Sequence, residues 1–221
     1  MQKVAAIVPA FNEEKNVANV LKVLLSSEYL DEIILVDDGS TDRTAKIGKE
    51  LGVKVIRLKN NIGKGNAMKE GVMATDADII VFFDADLVGL QREHIFSLVN
   101  PILKDRAVMH VGIRERLFGL PKLFIKIDPL LAIGGERAMK RFLFESIPVE
   151  FLQGFVIETA LNYHCYVRKL PVSYTELKGL KQKIKEQKWD VWKGFKSRLK
   201  MILQMLKIRW ILIVSRDSFF N

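Results

Sequence analysis

Short apolar runs alternate with segments whose apolar residues recur every three or four positions through the first half of the chain. Residues 4–8, 33–36 and 79–83 are runs of β-formers without polar interruption, the pattern of strands buried on both faces, and 53–58, with Lys54 and Arg57, reads as a further strand. Between them, Val17, Val20, Leu21 and Leu24 keep helical spacing, and residues 42–50 and 64–74 read as two further helices. Ile95, Leu98, Val99, Ile102 and Leu103 mark another amphipathic helix, stopped or kinked near Pro101. Strand–helix alternation of this kind predicts an α/β fold, a mainly parallel sheet with helices on both faces. No internal repeat and no low-complexity segment is present.

After Pro171 the pattern changes. Leu199, Ile202, Leu203, Leu206, Trp210 and Ile213 keep helical spacing with Lys200, Lys207 and Arg209 interspersed. The run is too short and too charged to span a bilayer, which needs ~20 predominantly apolar residues. Its stripe suits packing on the domain, on a second copy in a homodimer, or on an anionic membrane surface through residues 178–214.

At 221 residues the chain is long enough for one sizeable core. Its single cysteine, Cys165, excludes an internal disulfide framework and fits a reducing compartment. Met1-Gln2-Lys3 leads straight into the first strand, so no signal peptide is read and a cytoplasmic location is expected. The net charge of +9 is concentrated: Lys178 to Lys200 hold nine Lys/Arg against Glu186 and Asp190, a net of +7. An anionic partner is expected there. No nucleic-acid-binding motif accompanies it, so nucleic acid is not.

Candidate chemistry sits where the apolar runs end. Asp84 and Asp86 follow the fourth strand, and residues i and i+2 of an extended segment project to one side. Paired hard oxygen ligands suit Mg²⁺ or Mn²⁺, and open α/β sheets bind ligands outside the carboxyl ends of their strands. Pro9 ends the first strand, and Glu13 and Glu14 open the next helix, where negative charge complements the dipole. Asp37 and Asp38 end the second strand and can accept hydrogen bonds from a base N–H or ribose hydroxyls. Gly39 allows a sharp turn or a close approach, and Ser40, Thr41 or Asp42 can cap the following helix. Lys64 enters a helix between two glycines without P-loop spacing, and no G-x-G-x-x-G is present. His94, His110 and His164 read as structural.

PAFNEE, VDDGSTD, NIGKGNA and FFDADL, in this order and spacing over the first ninety or so residues, resemble the family 2 glycosyltransferases of the GT-A fold. The resemblance implies a nucleotide-sugar donor of the UDP or GDP type. Pro9, Ala10 and Glu13 would line the nucleotide pocket, Asp37 and Asp38 would contact base and ribose, and Lys64 would contact the diphosphate. Asp84 and Asp86 would hold the Mg²⁺ or Mn²⁺ on that diphosphate. More loosely, Gly134-Gly135-Glu136-Arg137-Ala138 resembles the Gly-Glu-x-Ala segment of glucosyl-phosphoglycerate synthases. It is read as opening a helix with Ala138, Met139, Phe142 and Leu143 on one face. The segment 154–159 resembles a helix whose glutamate, Glu158, points into the sugar or acceptor site, and 167–172 resembles the late strand. A histidine that supplies a metal ligand in some relatives is missing near Leu180.

The expected organisation is a GT-A domain over 1–176, with a nucleotide-binding half (1–90) and an acceptor half (91–176), and a basic amphipathic helical extension over 177–221. The expected activity is metal-dependent sugar transfer from a nucleoside-diphosphate sugar. Asp86 serves the chemistry, and Glu158, with Glu136 as second candidate, is the catalytic base. The acceptor is a polyprenyl phosphate or a small phosphorylated metabolite, and inversion and retention both stay open. The rival readings are a sugar nucleotidyltransferase and a catalytically inactive, membrane-associated protein of the same fold.

Overall fold

The first four apolar runs become parallel strands: β1 (Val4–Ala10), β2 (Glu32–Asp37), β3 (Lys54–Arg57) and β4 (Ile79–Phe82). They alternate with helices α1 (Val17–Leu25), α2 (Thr44–Glu50) and α3 (Lys64–Met73). Then follow β5 (Leu87–Val88), α4 (Arg92–Leu103), β6 (Met109–Arg114), β7 (Arg137–Lys140), α5 (Arg141–Glu145), α6 (Val156–Val167), β8 (Val172–Leu177) and β9 (Lys181–Gln182). The structure, a computed structural model, describes residues 2–114, 135–148, 151 and 156–182. By chain contacts it divides into two units, Met1–Gln182 and Lys183–Asn221. The amphipathic helix expected near the carboxyl end lies outside the described residues.

Seven strands form one sheet in the order β3-β2-β1-β4-β7-β6-β8, and β5 with β9 makes a separate two-stranded ribbon. Every pairing in the large sheet is parallel except those of β7 with β4 and β6. β1 is buried at every position. Val4, Ala6, Val8 and Ala10 share one core cluster with residues of α1 and α4, Leu35 and Val81. Two helical glycines let a helix approach closely on each face. A Cβ on Gly48 of α2 would stand 2.4 Å from Leu35 Cδ2, and one on Gly71 of α3 would stand 2.5 Å from Ile7 Cγ2 and 3.1 Å from Val36 Cγ2. Leu35 and Val36 project to opposite sides, so α2 and α3 cover opposite faces. Each fully buried Val, Leu or Ile here contributes about 1.5–3 kcal/mol.

Several local expectations change. β1 runs through Pro9 to Ala10 instead of ending there. Ile7 O accepts from Phe83 N on the β4 side, while Ala10 O accepts from Asp38 N on the β2 side. Pro9 therefore faces the β4 side, beyond the last β4 partner, where its missing N–H costs no ladder bond. Glu13 and Glu14 do not open a helix: α1 begins at Val17 with no acidic residue in its first turn. Instead Glu13 N donates to Thr44 Oγ1 and Glu14 Oε2 accepts from Arg43 N, tying the loop to the start of α2.

The segment from Glu136 is not one helix. Arg137–Lys140 is a strand buried between β4 and β6, and only Arg141–Glu145 is helical. Strand pairing on both sides outweighs the local 3.6-residue spacing. Likewise residues 167–171 close α6 and turn, and the late strand starts at Val172. Leu177 ends β8 and Lys181–Gln182 pairs with β5, so the described start of the expected helical extension is not helix.

Gly39 sits at φ 74, and a Cβ on it would stand 2.6 Å from the carbonyl carbon of Asn60. The residue before it, Asp38, accepts from Ile62 N at 2.8 Å and Gly63 N at 3.0 Å. The end of β2 and the loop leading to α3 are thus joined backbone to backbone. Gly39→Ala is expected to destabilise by about 1–3 kcal/mol, roughly 2–10 °C in Tm. Gly52, at φ 76 with no atom within 4 Å of an added Cβ, supplies the control. Equal Tm losses for Gly39→Ala and Gly52→Ala would mean that strain at positive φ, not the close approach, sets the cost.

Candidate active site

The carboxyl ends of β2, β1 and β4 lie side by side in the sheet, and the residues singled out in the sequence gather there. Pro9 and Ala10 end β1, with Ala10 paired to Asp37. Asp37 is fully buried; its Oδ1 accepts from Ser40 N at 3.0 Å and its Oδ2 faces Arg57 Nε at 3.3 Å. Asp38 spends both oxygens on the Ile62 and Gly63 amides. Those contacts shape the turn and leave Asp38 a structural part in addition to any ligand contact. Asp42, not Ser40 or Thr41, meets the start of α2, through Thr44 N at 2.9 Å.

Asp84 and Asp86 lie in the turn between β4 and β5, both about nine-tenths buried. Asp84 Oδ1 is 2.7 Å from Lys64 Nζ, and its Oδ2 is 3.6 Å from Arg114 Nη2. Burial raises the Asp84 pKa, but Lys64, with Arg114 and Arg137, outweighs it and holds the carboxyl below its ordinary value. Asp86 goes the other way. Burial, with the negative charges of Asp84 and Glu13, pushes it up, although Gln182 Nε2 donates to both its oxygens at 3.0 and 3.1 Å.

Two more carboxylates complete the cluster. Glu136, just before β7, is fully buried, and Arg114 Nε lies 3.1 Å from its Oε2. Burial and the nearby Asp84 raise its pKa to about 7. Glu158, in the first turn of α6, places Oε1 3.4 Å from Lys64 Nζ and Oε2 3.8 Å from Arg137 Nη2. For Lys64, burial lowers the pKa, but Asp84 and Glu158 more than offset it and raise it above the ordinary lysine value. Gly135 makes this packing possible: a Cβ there would stand 2.7 Å from Asp84 Oδ2.

Three residues of this cluster carry no sequence signal. Arg114 ends β6 and bridges Asp84, Glu136 and, through Nη1 at 3.0 Å, Gln182 Oε1. Arg137 is fully buried on β7 and donates to the Glu158 carbonyl at 3.3 Å and Asn162 Oδ1 at 3.5 Å. Gln182 comes from β9, in the segment read as helical. Only the antiparallel insertion of β7 and the β5–β9 pairing bring these side chains to the crevice. The histidines stand apart in structural roles. His94 bonds Gln91 N and Lys178 O, and His110 Nδ1 meets Ser173 Oγ at 2.6 Å. Burial lowers His110 to about 4. His164 lies 3.3 Å from Ser146 Oγ.

Two hard carboxylates on one turn fit a small divalent ion, and the mutual repulsion that raises Asp86 would be relieved by one. Among the described residues no group of three His, Cys, Asp or Glu forms a ready metal cage. The remaining ligands would come from substrate phosphates and water, the usual arrangement for Mg²⁺. Among the same residues no helix is long and apolar enough to cross a membrane.

Comparison with known proteins agrees with this layout. Glucosyl-3-phosphoglycerate synthase of Petrotoga mobilis is 30% identical over 196 residues, 72% of this chain and 59% of that protein. A 4,4'-diaponeurosporenoate glycosyltransferase of Staphylococcus haemolyticus is 41% identical over 104 residues, 44% of this chain and 28% of its own. The chain thus spans about three-fifths of the first relative and less of the second. Among solved structures, glucosyl-3-phosphoglycerate synthase of Mycobacterium tuberculosis, in complex with Mn²⁺, UDP-glucose and phosphoglyceric acid, superposes with a TM-score of 0.71 at 26% identity. That match covers 83% of this chain and 72% of the other. The family description Glycosyl transferase family 2 matches residues 5–163, and with the mostly parallel sheet and the carboxylate-lined crevice at its strand ends, this chain belongs to that family, in its GT-A fold.

Proposed function

We propose that this protein transfers a sugar, glucose by analogy with its relatives, from a uridine-diphosphate donor to the hydroxyl of a small phosphorylated acceptor. The observation that carries the reading is the convergence of Asp84, Asp86, Lys64 and Glu158 at the strand ends, beside the crevice of Asp37 and Asp38. In the reaction the bond from the sugar's anomeric carbon to the diphosphate breaks, a bond to the acceptor oxygen forms, and the acceptor hydroxyl loses its proton.

Each residue then has a physical part. Pro9, Ala10, Glu13, Asp37 and Asp38 line the nucleotide side. Asp84 and Asp86 hold Mg²⁺ or Mn²⁺, which when bound supplies Lewis-acid stabilisation of the departing diphosphate. Lys64 adds a fixed positive charge beside the leaving group. Glu158, kept in place by Arg137 at its carbonyl and carboxylate, takes the acceptor's proton. Glu136 is enclosed and paired with Arg114, which fits it for positioning the sugar. The complexes of the Mycobacterium tuberculosis enzyme with Mn²⁺, UDP-glucose and phosphoglyceric acid support the choice of metal, donor and acceptor class. The basic stretch from Lys178 supports an anionic acceptor. A polyprenyl phosphate at a membrane surface shares the acceptor's negative charge but would take the sugar on a phosphate oxygen, without a base, and is separated from a small metabolite by the last measurement below.

Calorimetry with UDP and GDP in the presence of Mn²⁺ tests donor recognition, and binding of neither would overturn the reading. Asp86→Ala is expected to lower turnover by about 10²-fold or more, as loss of a preorganised electrostatic group does; nucleoside-diphosphate release measures it. Glu158→Gln is expected to lower turnover by about 10²–10⁴-fold with donor affinity kept, and wild-type turnover in that variant would remove Glu158 from proton transfer. Charge reversal of Lys181, Lys183, Lys185 and Lys188 to Glu is expected to raise the acceptor KM while donor affinity stays constant. Loss of anionic-liposome binding in the same variant, with KM for a soluble phosphorylated acceptor unchanged, would shift the acceptor to a lipid phosphate.

A further inference from the structure

The contacts of Lys64 carry a step that rests on the metal-dependent transfer just described. Lys64 is the first residue of α3, and its Nζ lies 2.7 Å from Asp84 Oδ1 and 3.4 Å from Glu158 Oε1. A divalent ion of the size of Mg²⁺ sits about 2.0–2.1 Å from a carboxylate oxygen. On Asp84 Oδ1 it would share one oxygen with the hydrogen-bonded Lys64 ammonium and set two like charges side by side. The other oxygen, Oδ2, is flanked by Arg114 at 3.6 Å and closed off by the close approach of Gly135. On either oxygen an ion therefore meets a cation already in place, and at Oδ1 that cation is the Lys64 ammonium.

Charge points the same way. Asp84, Glu136 and Glu158 face Lys64, Arg114 and Arg137, and Asp86 beside Asp84 is held by Gln182 and by none of these cations, which leaves one negative charge in excess when all are ionised. A divalent ion entering alone would reverse the sign of this enclosed cluster. Each of the donor's two phosphates carries a negative charge, so ion and donor together leave the balance as it was. The diphosphate also offers the Lys64 ammonium a new anionic partner. We propose that Lys64 is a built-in counter-ion, which occupies the cation's place on Asp84 and withdraws when the donor diphosphate draws it off, so that metal and donor bind as a unit.

The lysine is thus more than a phosphate contact. A residue that only touches phosphate affects nucleotide affinity, whereas a counter-ion on Asp84 also holds down the affinity for metal alone. Mn²⁺ binding, followed by the electron paramagnetic resonance of the free ion, separates the two. It is measured with and without UDP for the wild type, Lys64→Met and Lys64→Arg. In the wild type UDP is expected to tighten Mn²⁺ binding at least about tenfold. In Lys64→Met, Mn²⁺ alone binds about tenfold more tightly than to the wild type, UDP binds less tightly, and the mutual enhancement shrinks by the same factor in both directions. Lys64→Arg, which keeps the charge, retains the wild-type pattern. Removing one partner of an enclosed ion pair leaves the other uncompensated, so Mn²⁺ alone is also expected to raise the Tm of Lys64→Met by more than that of the wild type.

Unchanged or weaker Mn²⁺ binding in a folded Lys64→Met would overturn the inference and leave the transfer reading intact. Should that variant not fold, the wild type decides: Mn²⁺ binding equally tight with and without UDP overturns it, and at least tenfold enhancement, retained in Lys64→Arg, supports it. Absence of Mn²⁺ binding even with UDP would overturn both the inference and the reading beneath it.

Discussion

Three carboxylates, Asp84, Glu136 and Glu158, can share one enclosed crevice only because three cations are threaded between them, while Asp86 beside them is held by Gln182. Moving a single ion out of water costs several kcal/mol even after the protein relaxes. Asp84 and Glu158 divide Lys64, Asp84 and Glu136 divide Arg114, and Glu158 is held in turn by Arg137. The cations come from α3, β6 and β7, so the cluster exists only when the N-terminal and later halves of the sheet are assembled together. Its uneven compensation also differentiates the acids. Asp84, with its cations, stays strongly ionised, whereas Asp86 and Glu136 hold protons more readily. The same charge pattern that makes the fold tolerable thus sets the chemistry available at each position.

A second constraint is the rigid joint at the end of β2. Asp38 spends its carboxylate on the amides of Ile62 and Gly63, and Gly39 lets the two backbones meet. Lys64 follows directly, so the joint fixes the backbone from which it reaches Asp84 and leaves only its side chain to move. Ordering of this loop is completed on folding and need not be repeated when a ligand arrives.

The first half of the molecule was legible in the sequence because its signals are local. Buried parallel strands read as unbroken apolar runs, and Asp37, Asp38, Lys64, Asp84 and Asp86 each stand one to three residues past such a run or at a helix start. Where the outcome depends on distant pairing, that legibility ends. Arg137, Ala138 and Met139 carry a helical spacing, yet insertion between β4 and β6 makes them a strand. Pro9 reads as a strand terminator until one knows on which side its nitrogen points. Arg114 and Gln182 belong to no motif, since nothing in their neighbours reveals that β6, β7 and the β5–β9 ribbon converge on Asp84 and Asp86. Acidic residues at strand ends can be found from spacing; the cations that neutralise them are supplied by topology.

The place of β7 in the sheet has a consequence for how the chain is made. β6 precedes β7 in sequence but lies beyond it in space, so β6 cannot join β4 when it leaves the ribosome. Until residues 137–140 emerge, the growing chain carries an apolar β4 with one edge unpaired. Such an edge is a template for pairing with another chain, and domains emerge N-terminal end first at about 5–20 residues per second. Synthesis therefore passes through an interval of several seconds in which this protein is most exposed to misassembly and to chaperone capture. The strand that ends the interval is the one that delivers Arg137 to Glu158.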